Sequence, residues 1–198
     1  MNRTRFATVV FMFTLVTAFA AAASAMPSVG TLEINGGYAK STLEAAAPFS
    51  TDSPSGGMTF GGGYFRSIAP KTSWGIEASY DNLGSLNWVN GTNNMMTSIH
   101  MLRMCPELRM NFGAPVGPSF CAQAGGGYYS VSVKDEDTTA GTNATASSGK
   151  FGFNFGAGVG FPVGPKTKLN LMGMYHSVST PGTSTNYMNF RAGLGISL

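Results

Sequence analysis

The stretch FGFNFGAGVGF, residues 151–161, contains GAGVG, and glycines so spaced can wrap a phosphate in backbone N–H groups. Such a loop needs a strand before it, a helix after it and usually a lysine. Here Pro162 and another strand-like run follow, so a nucleotide site is not expected. Nucleophilic chemistry has two candidate groupings, His176 beside Ser177 and Ser98 two residues from His100. A Ser–His pair must lie on one face and needs an acid to orient the imidazole. Adjacent strand residues point to opposite faces, which separates His176 from Ser177. Ser98 and His100 share a face, but no acid is expected outward beside them. No enzyme, no metal site and no cofactor is therefore expected.

A period of two decides these placements. In residues 151–161, Phe151, Phe153, Phe155, Ala157, Val159 and Phe161 fall on one face, and Gly152, Asn154, Gly156, Gly158 and Gly160 on the other. A helix would scatter them. The alternation recurs in GTLEINGGY, SWGIEASYD, FCAQAGGGY, KLNLMGMYH and the closing YMNFRAGLGISL, and more weakly in residues 57–67 and 95–105. That makes eight strands of about ten residues, the length a tilted strand needs to cross a bilayer. Glu33, Glu77, Asp81, Lys168 and Arg191 all fall on the non-oily face. Requiring Arg103 to join them also turns Ile99, Met101 and Cys105 inward and His100 outward. The expected fold is all-β: an eight-stranded antiparallel up-and-down transmembrane barrel. Glu33, Glu77, Arg103, Lys168 and Arg191 form its lumen polar network, and the glycines sit where a narrow interior leaves little room. His176 is expected as a polar lining residue.

Composition agrees. Only 11% of the 198 residues are charged, and 27 are glycine. Residues 1–25 carry Arg3 and Arg5, an apolar run to about Ala23, and Ala23-Ser24-Ala25, as a cleaved signal peptide does. The barrel domain is then 26–198, with 10 basic against 9 acidic residues once Arg3 and Arg5 are removed from the total. No basic cluster remains, so nucleic acid is not a partner. No later run of about 18 apolar residues could form a spanning helix, and a closed barrel is the remaining way into a membrane. Short proline-containing connections (SIAPKT, NFGAPVGP, PVGPKT) alternate with long polar ones at 41–55, 84–94, 135–149 and 179–186. This is the outer-membrane pattern of short periplasmic turns and long extracellular loops. Tyr38, Tyr64, Trp74, Tyr80, Tyr128, Tyr175 and Tyr187 lie near strand ends, as aromatic girdles do. Cys105 and Cys121, an even count in an exported chain, are expected to form a disulfide across a hairpin folding near Gly113, contributing about 3 kcal/mol.

The eight alternating segments and the terminal FRAGLGISL resemble the small outer-membrane β-barrels of Gram-negative bacteria, the eight-stranded OmpA/OmpX-like family. The resemblance covers almost all of 29–198. It implies outer-membrane localisation, contact with outer-membrane lipid and lipopolysaccharide, and insertion by the outer-membrane assembly machinery, which reads the last strand. That strand usually ends in Phe; here it ends in Leu198. No peptidoglycan-binding domain is expected after the barrel. Some barrels of this kind deacylate lipid A with an outward His, Ser and acid, a set not found here. The expected work is structural or surface interaction through four polar extracellular loops, with an unknown surface ligand. A narrow porin-like pore, a lipid A-modifying enzyme and a soluble lipocalin-like barrel are the alternatives.

Overall fold

Apolar and polar side chains alternate through all eight segments, and each segment is a strand in the computed structural model, which describes residues 30–42, 55–90, 93–113, 117–180 and 183–198. The strands are β1 (Gly30–Ser41), β2 (Gly57–Ala69), β3 (Thr72–Asn90), β4 (Asn93–Gly113), β5 (Ser119–Asp137), β6 (Thr142–Pro162), β7 (Thr167–Thr180) and β8 (Thr183–Ser197). Each pairs antiparallel with the next, and β8 pairs with β1, from Thr31↔Ser197 to Ser41↔Tyr187, to close the ring. Closure satisfies the backbone groups that an open edge would leave bare in hydrocarbon. Among the described residues no helix is long and apolar enough to cross a membrane.

The faces sort as the period of two requires. Phe151, Phe153 and Phe155 of β6 stand exposed, with Phe190, Leu194 and Ile196 of β8, Ile34 of β1 and Trp74 and Ile76 of β3. Glu33, Glu77, Asp81, Arg103 and Arg191 are buried. This is the inverse of a soluble barrel, whose oily face would be inside. The β6 glycines lie where inward side chains from neighbouring strands cross. A Cβ at Gly158 would come 2.7 Å from Met172 Cγ, and one at Gly152 would come 2.8 Å from Tyr129 Cε2.

Three expectations are corrected. The polar segments expected as loops are largely strand. β3 and β4 stay paired to Asn90↔Asn93, β5 and β6 to Asp137↔Thr142, and β7 and β8 to Thr180↔Thr183. Thr favours a strand, and cross-strand pairing here overrides the weaker preference of Asn. The first long segment, at 41–55, lies mainly outside the described residues, as does the 1–25 signal peptide. Tyr187 is not a girdle residue: it shares inward parity with Asn189 and Arg191 and is fully buried.

Cys105 and Cys121 do not form a disulfide; both are free and buried. The β4–β5 register pairs Gly113 with Ser119 instead of turning at Gly113, so Cys121 lies opposite Asn111. The flanking pairs Met104↔Tyr128 and Glu107↔Gly125 place Cys105 across from Gly127. Six strand residues therefore separate the two thiols, about 20 Å at 3.3 Å per residue, against a Cα separation under about 7 Å in any disulfide. Unfolding the protein in denaturant with an alkylating agent is expected to give two adducts whether or not a reductant is added, by mass spectrometry.

His100 is outward as expected. Its neighbourhood is irregular because β3 carries an extra residue, the register shifting from Asn82↔His100 to Ser85↔Ser98. Gly84 supplies the positive φ of 89° that this bulge uses.

Candidate functional site inside and above the barrel

The lumen is filled by ions in layers. Glu77 from β3 accepts from two guanidiniums: Arg103 of β4, and Arg191 of β8, whose Nη2 donates at 2.8 Å. Gln123 of β5 donates to the same carboxylate at 3.3 Å. One layer nearer the turn end, Arg109 donates to Glu33 at 2.7 Å and to the Gln123 Oε1 at 2.9 Å, while its guanidinium lies 3.9 Å from the Phe65 ring centroid. Asn170 Nδ2 also donates to Glu33, at 3.0 Å.

Toward the long-hairpin end, Asp81 accepts from Thr59, from Ser79 at 3.1 Å, from Tyr187 at 2.8 Å and from Asn189 at 3.3 Å. Glu107 accepts from Asn154 at 2.9 Å and from Arg103 at 3.3 Å. Gly125 makes room for it, since a Cβ there would collide with the Glu107 carboxylate. Buried charges persist only when paired and hydrogen-bonded, and this mesh supplies both conditions with side chains from every strand of the ring.

Apolar side chains pack beside the ions and on toward the long-hairpin end. Ala39, Leu83, Met101, Cys105, Tyr129, Val131, Val178 and Tyr187 form one buried cluster, with Ile99 and Val133 packed against it. His176 is enclosed there, its ring stacked on Tyr187 at 4.3 Å and its Nδ1 3.2 Å from the Tyr129 hydroxyl.

The structure places Glu77 against Arg103 and Arg191, and Glu33 joins them only through Arg109 and Gln123. It leaves Lys168 half-buried nearer the turn end, outside this network. It adds Arg109 and Glu107, which lie beyond Cys105, where the alternation read from the sequence stops ahead of Pro106. The signal is present all the same: Arg103, Cys105, Glu107 and Arg109 continue one parity. Pro106 has no N–H to donate, and the β4–β5 ladder lapses there yet resumes at Glu107.

The Ser–His groupings do not assemble a triad. His176 is buried in the lumen. His100 lies outside, its Nδ1 2.9 Å from the Tyr80 hydroxyl and the two rings stacked at 5.8 Å. Among the described residues no group of three or more His, Cys, Asp or Glu could hold a metal.

Beyond the barrel rim the long hairpins continue as a raised sheet. β2 leaves β3 after Thr59↔Asp81, and β7 leaves β6 at Gly152↔Val178. β3 to β6 run on together, so, among the described residues, 142–151 of β6 are paired on the β5 side alone. The side chains of 142–149 are exposed. The other margin, on β3, is partly covered, with Ser55 N–H donating to the Ser85 carbonyl at 3.4 Å.

A closed antiparallel barrel with an oily exterior, an ionised interior and a raised polar sheet is an integral membrane barrel. The chain belongs to the outer membrane protein beta-barrel domain family, which it matches over residues 11–197, and its place is the cell outer membrane. Solved structures share the fold at low identity. Neisserial surface protein A (NspA) is 13% identical with a TM-score of 0.57, over 84% of this chain and 96% of that one. Ail, the attachment invasion locus protein of Yersinia pestis, in complex with the heparin analogue sucrose octasulfate, is 12% identical with a TM-score of 0.53, over 87% and 100%. A major outer membrane protein from Thermus thermophilus is 12% identical with a TM-score of 0.56, over 87% and 100%. A search of curated proteins by sequence finds no match.

Proposed function

We propose that this protein is a non-enzymatic surface-interaction barrel whose working part is the raised sheet, with the membrane segment as its anchor. The observation that carries this reading is the free edge of β6. Residues 142–151, TNATASSGKF, offer about 30 Å of strand backbone, at 3.3 Å per residue, that has no partner on its outer side among the described residues. They contain no proline, and Lys150 is their one charged residue. Edges that avoid partners are short, bulged, or guarded by charge or proline. This one is long and carries Lys150 as its single guard, at the membrane end, which suits main-chain pairing with an extended segment of another protein. In place of four polar loops, the interaction element is a stiff sheet with one open margin.

The filled lumen supports an anchor over the pore alternative, since the ionic mesh and the apolar cluster beside it fill the interior with buried side chains. The separated histidines support a non-enzymatic role: His100→Ala and His176→Ala are expected to leave lipid A acylation unchanged. Ail was solved with a sulfated ligand. The raised sheet here carries Asp135, Glu136 and Asp137, so a polypeptide partner fits it better than a polyanion. Insertion by the outer-membrane assembly machinery belongs to the same reading.

Shortening the hairpin tests it. Residues 134–145 are replaced by Asn-Gly, cutting at the pair Lys134↔Thr145. The variant is expected to keep its heat-modifiable gel shift, while cells displaying it lose most of the adherence shown by cells displaying the full chain. Unchanged adherence would reject the edge as the working element.

A further inference from the structure

We infer a second site at the opposite end of the barrel: a basic basin, open to the short-turn side, that binds a small polyvalent oxyanion, phosphate or polycarboxylate. It goes beyond the surface-interaction reading and does not depend on it.

A cavity of ≈ 500 Å³ lies among the short turns. Its walls include Lys71 from the β2–β3 turn, Lys166 from the β6–β7 turn and Lys168 at the start of β7, and none of its lining residues is acidic. Three like charges around one hollow repel one another, and an anion would relieve that repulsion. The placement is built, not incidental. The Lys71 carbonyl accepts from Asn111 N–H at 2.7 Å, and the Lys166 carbonyl accepts from Ser197 N–H at 2.8 Å, so each turn is pinned to an adjacent strand. Lys168 folds across Gly160, where a Cβ would collide with its stem. The glycine therefore lets the ammonium reach into the barrel mouth.

A second observation points the same way. Ser119 lines this cavity, is 8% exposed, and its hydroxyl has no hydrogen-bond partner among the described residues. A buried hydroxyl without a partner is unfavourable, and an oxyanion in the basin would accept from it. The neighbouring lumen acid, Glu33, makes its hydrogen bonds to Arg109 and Asn170 and none to the three lysines. The basin thus combines positive charge, a free donor and room for a solute.

The test uses the full chain folded in a zwitterionic detergent, titrated calorimetrically with inorganic phosphate and, separately, with citrate. Saturable binding is expected, weakening as salt rises. The combined Lys71→Gln, Lys166→Gln and Lys168→Gln variant is expected to bind about tenfold more weakly, because three screened attractions disappear together, with its gel shift intact. Tighter phosphate than citrate would assign the site to phosphate-bearing ligands, and the reverse to carboxylates; either supports the proposal. Ser119→Ala, which removes no internal bond, is expected to weaken anion binding without destabilising the barrel. Absence of saturable binding for both anions, or equal binding by the lysine variant, would overturn it.

Discussion

Replacing Glu77 by alanine is expected to destabilise the folded barrel by about 3–5 kcal/mol, the usual result of removing one partner from a buried ion network. The substitution leaves two guanidiniums enclosed. Arg191 pairs with Glu77, while Arg103 also has Asp81 at 3.7 Å and Glu107 at 3.3 Å. Arg191 is therefore the more damaged of the two. That asymmetry gives a second measurement. Adding Arg191→Met to Glu77→Ala removes the stranded charge and fills its volume, so part of the lost stability should return. Glu77→Gln keeps an acceptor oxygen and should fall between wild type and alanine. Urea unfolding in lipid vesicles, followed by tryptophan fluorescence and the gel shift, reads all three. A loss below about 1 kcal/mol for Glu77→Ala, within the range of an exposed pair, would show that the mesh re-forms around other acceptors and that Glu77 is not its centre.

How far the sequence shows this site depends on how local each decision is. Period-two alternation is local, and it places Phe151 through Phe161 outside and Glu77 and Arg191 inside without any knowledge of neighbours. The partner of each ion is not local. Whether Glu33 meets Arg191 or Arg109 is decided by the stagger between strands far apart in sequence, and a shift of two residues exchanges one arginine for another while leaving every parity intact. The cysteine pair fails for the same reason. Both thiols do point inward, as parity requires, but the register that pairs Gly113 with Ser119 slides one strand past the other by six positions. The raised sheet escapes notice for a different reason. Ser, Thr and Asn mark loops when unpaired and serve as strand residues when paired, and composition alone does not say which. Tyr187 illustrates the remaining gap: its place near a strand end suggests an interfacial ring, yet parity, which outranks position, sends it inward to stack on His176.

Placing arginine at Phe155 is expected to lower stability in a bilayer by about 2–4 kcal/mol, and at Tyr128 by only about 0–1 kcal/mol. The two positions share the outward face but not the depth. Phe155 stands between the outward rings of Phe151 and Phe161 on β6, paired with Ala124 and Tyr175 in the middle of the wall. Tyr128 pairs with Phe151 where the wall meets the raised sheet. From there a long cationic side chain can reach the headgroups. Were the surroundings water, both rings would already be wet and neither arginine would matter. A depth-graded penalty in vesicles therefore reports hydrocarbon directly. Matched, near-zero effects at both sites would mean that the phenylalanine face does not meet lipid. The inside-out arrangement would then lose its physical reason, because only an apolar exterior solvent makes it favourable to enclose Glu77, Arg103 and Arg191 while leaving the phenylalanines outside.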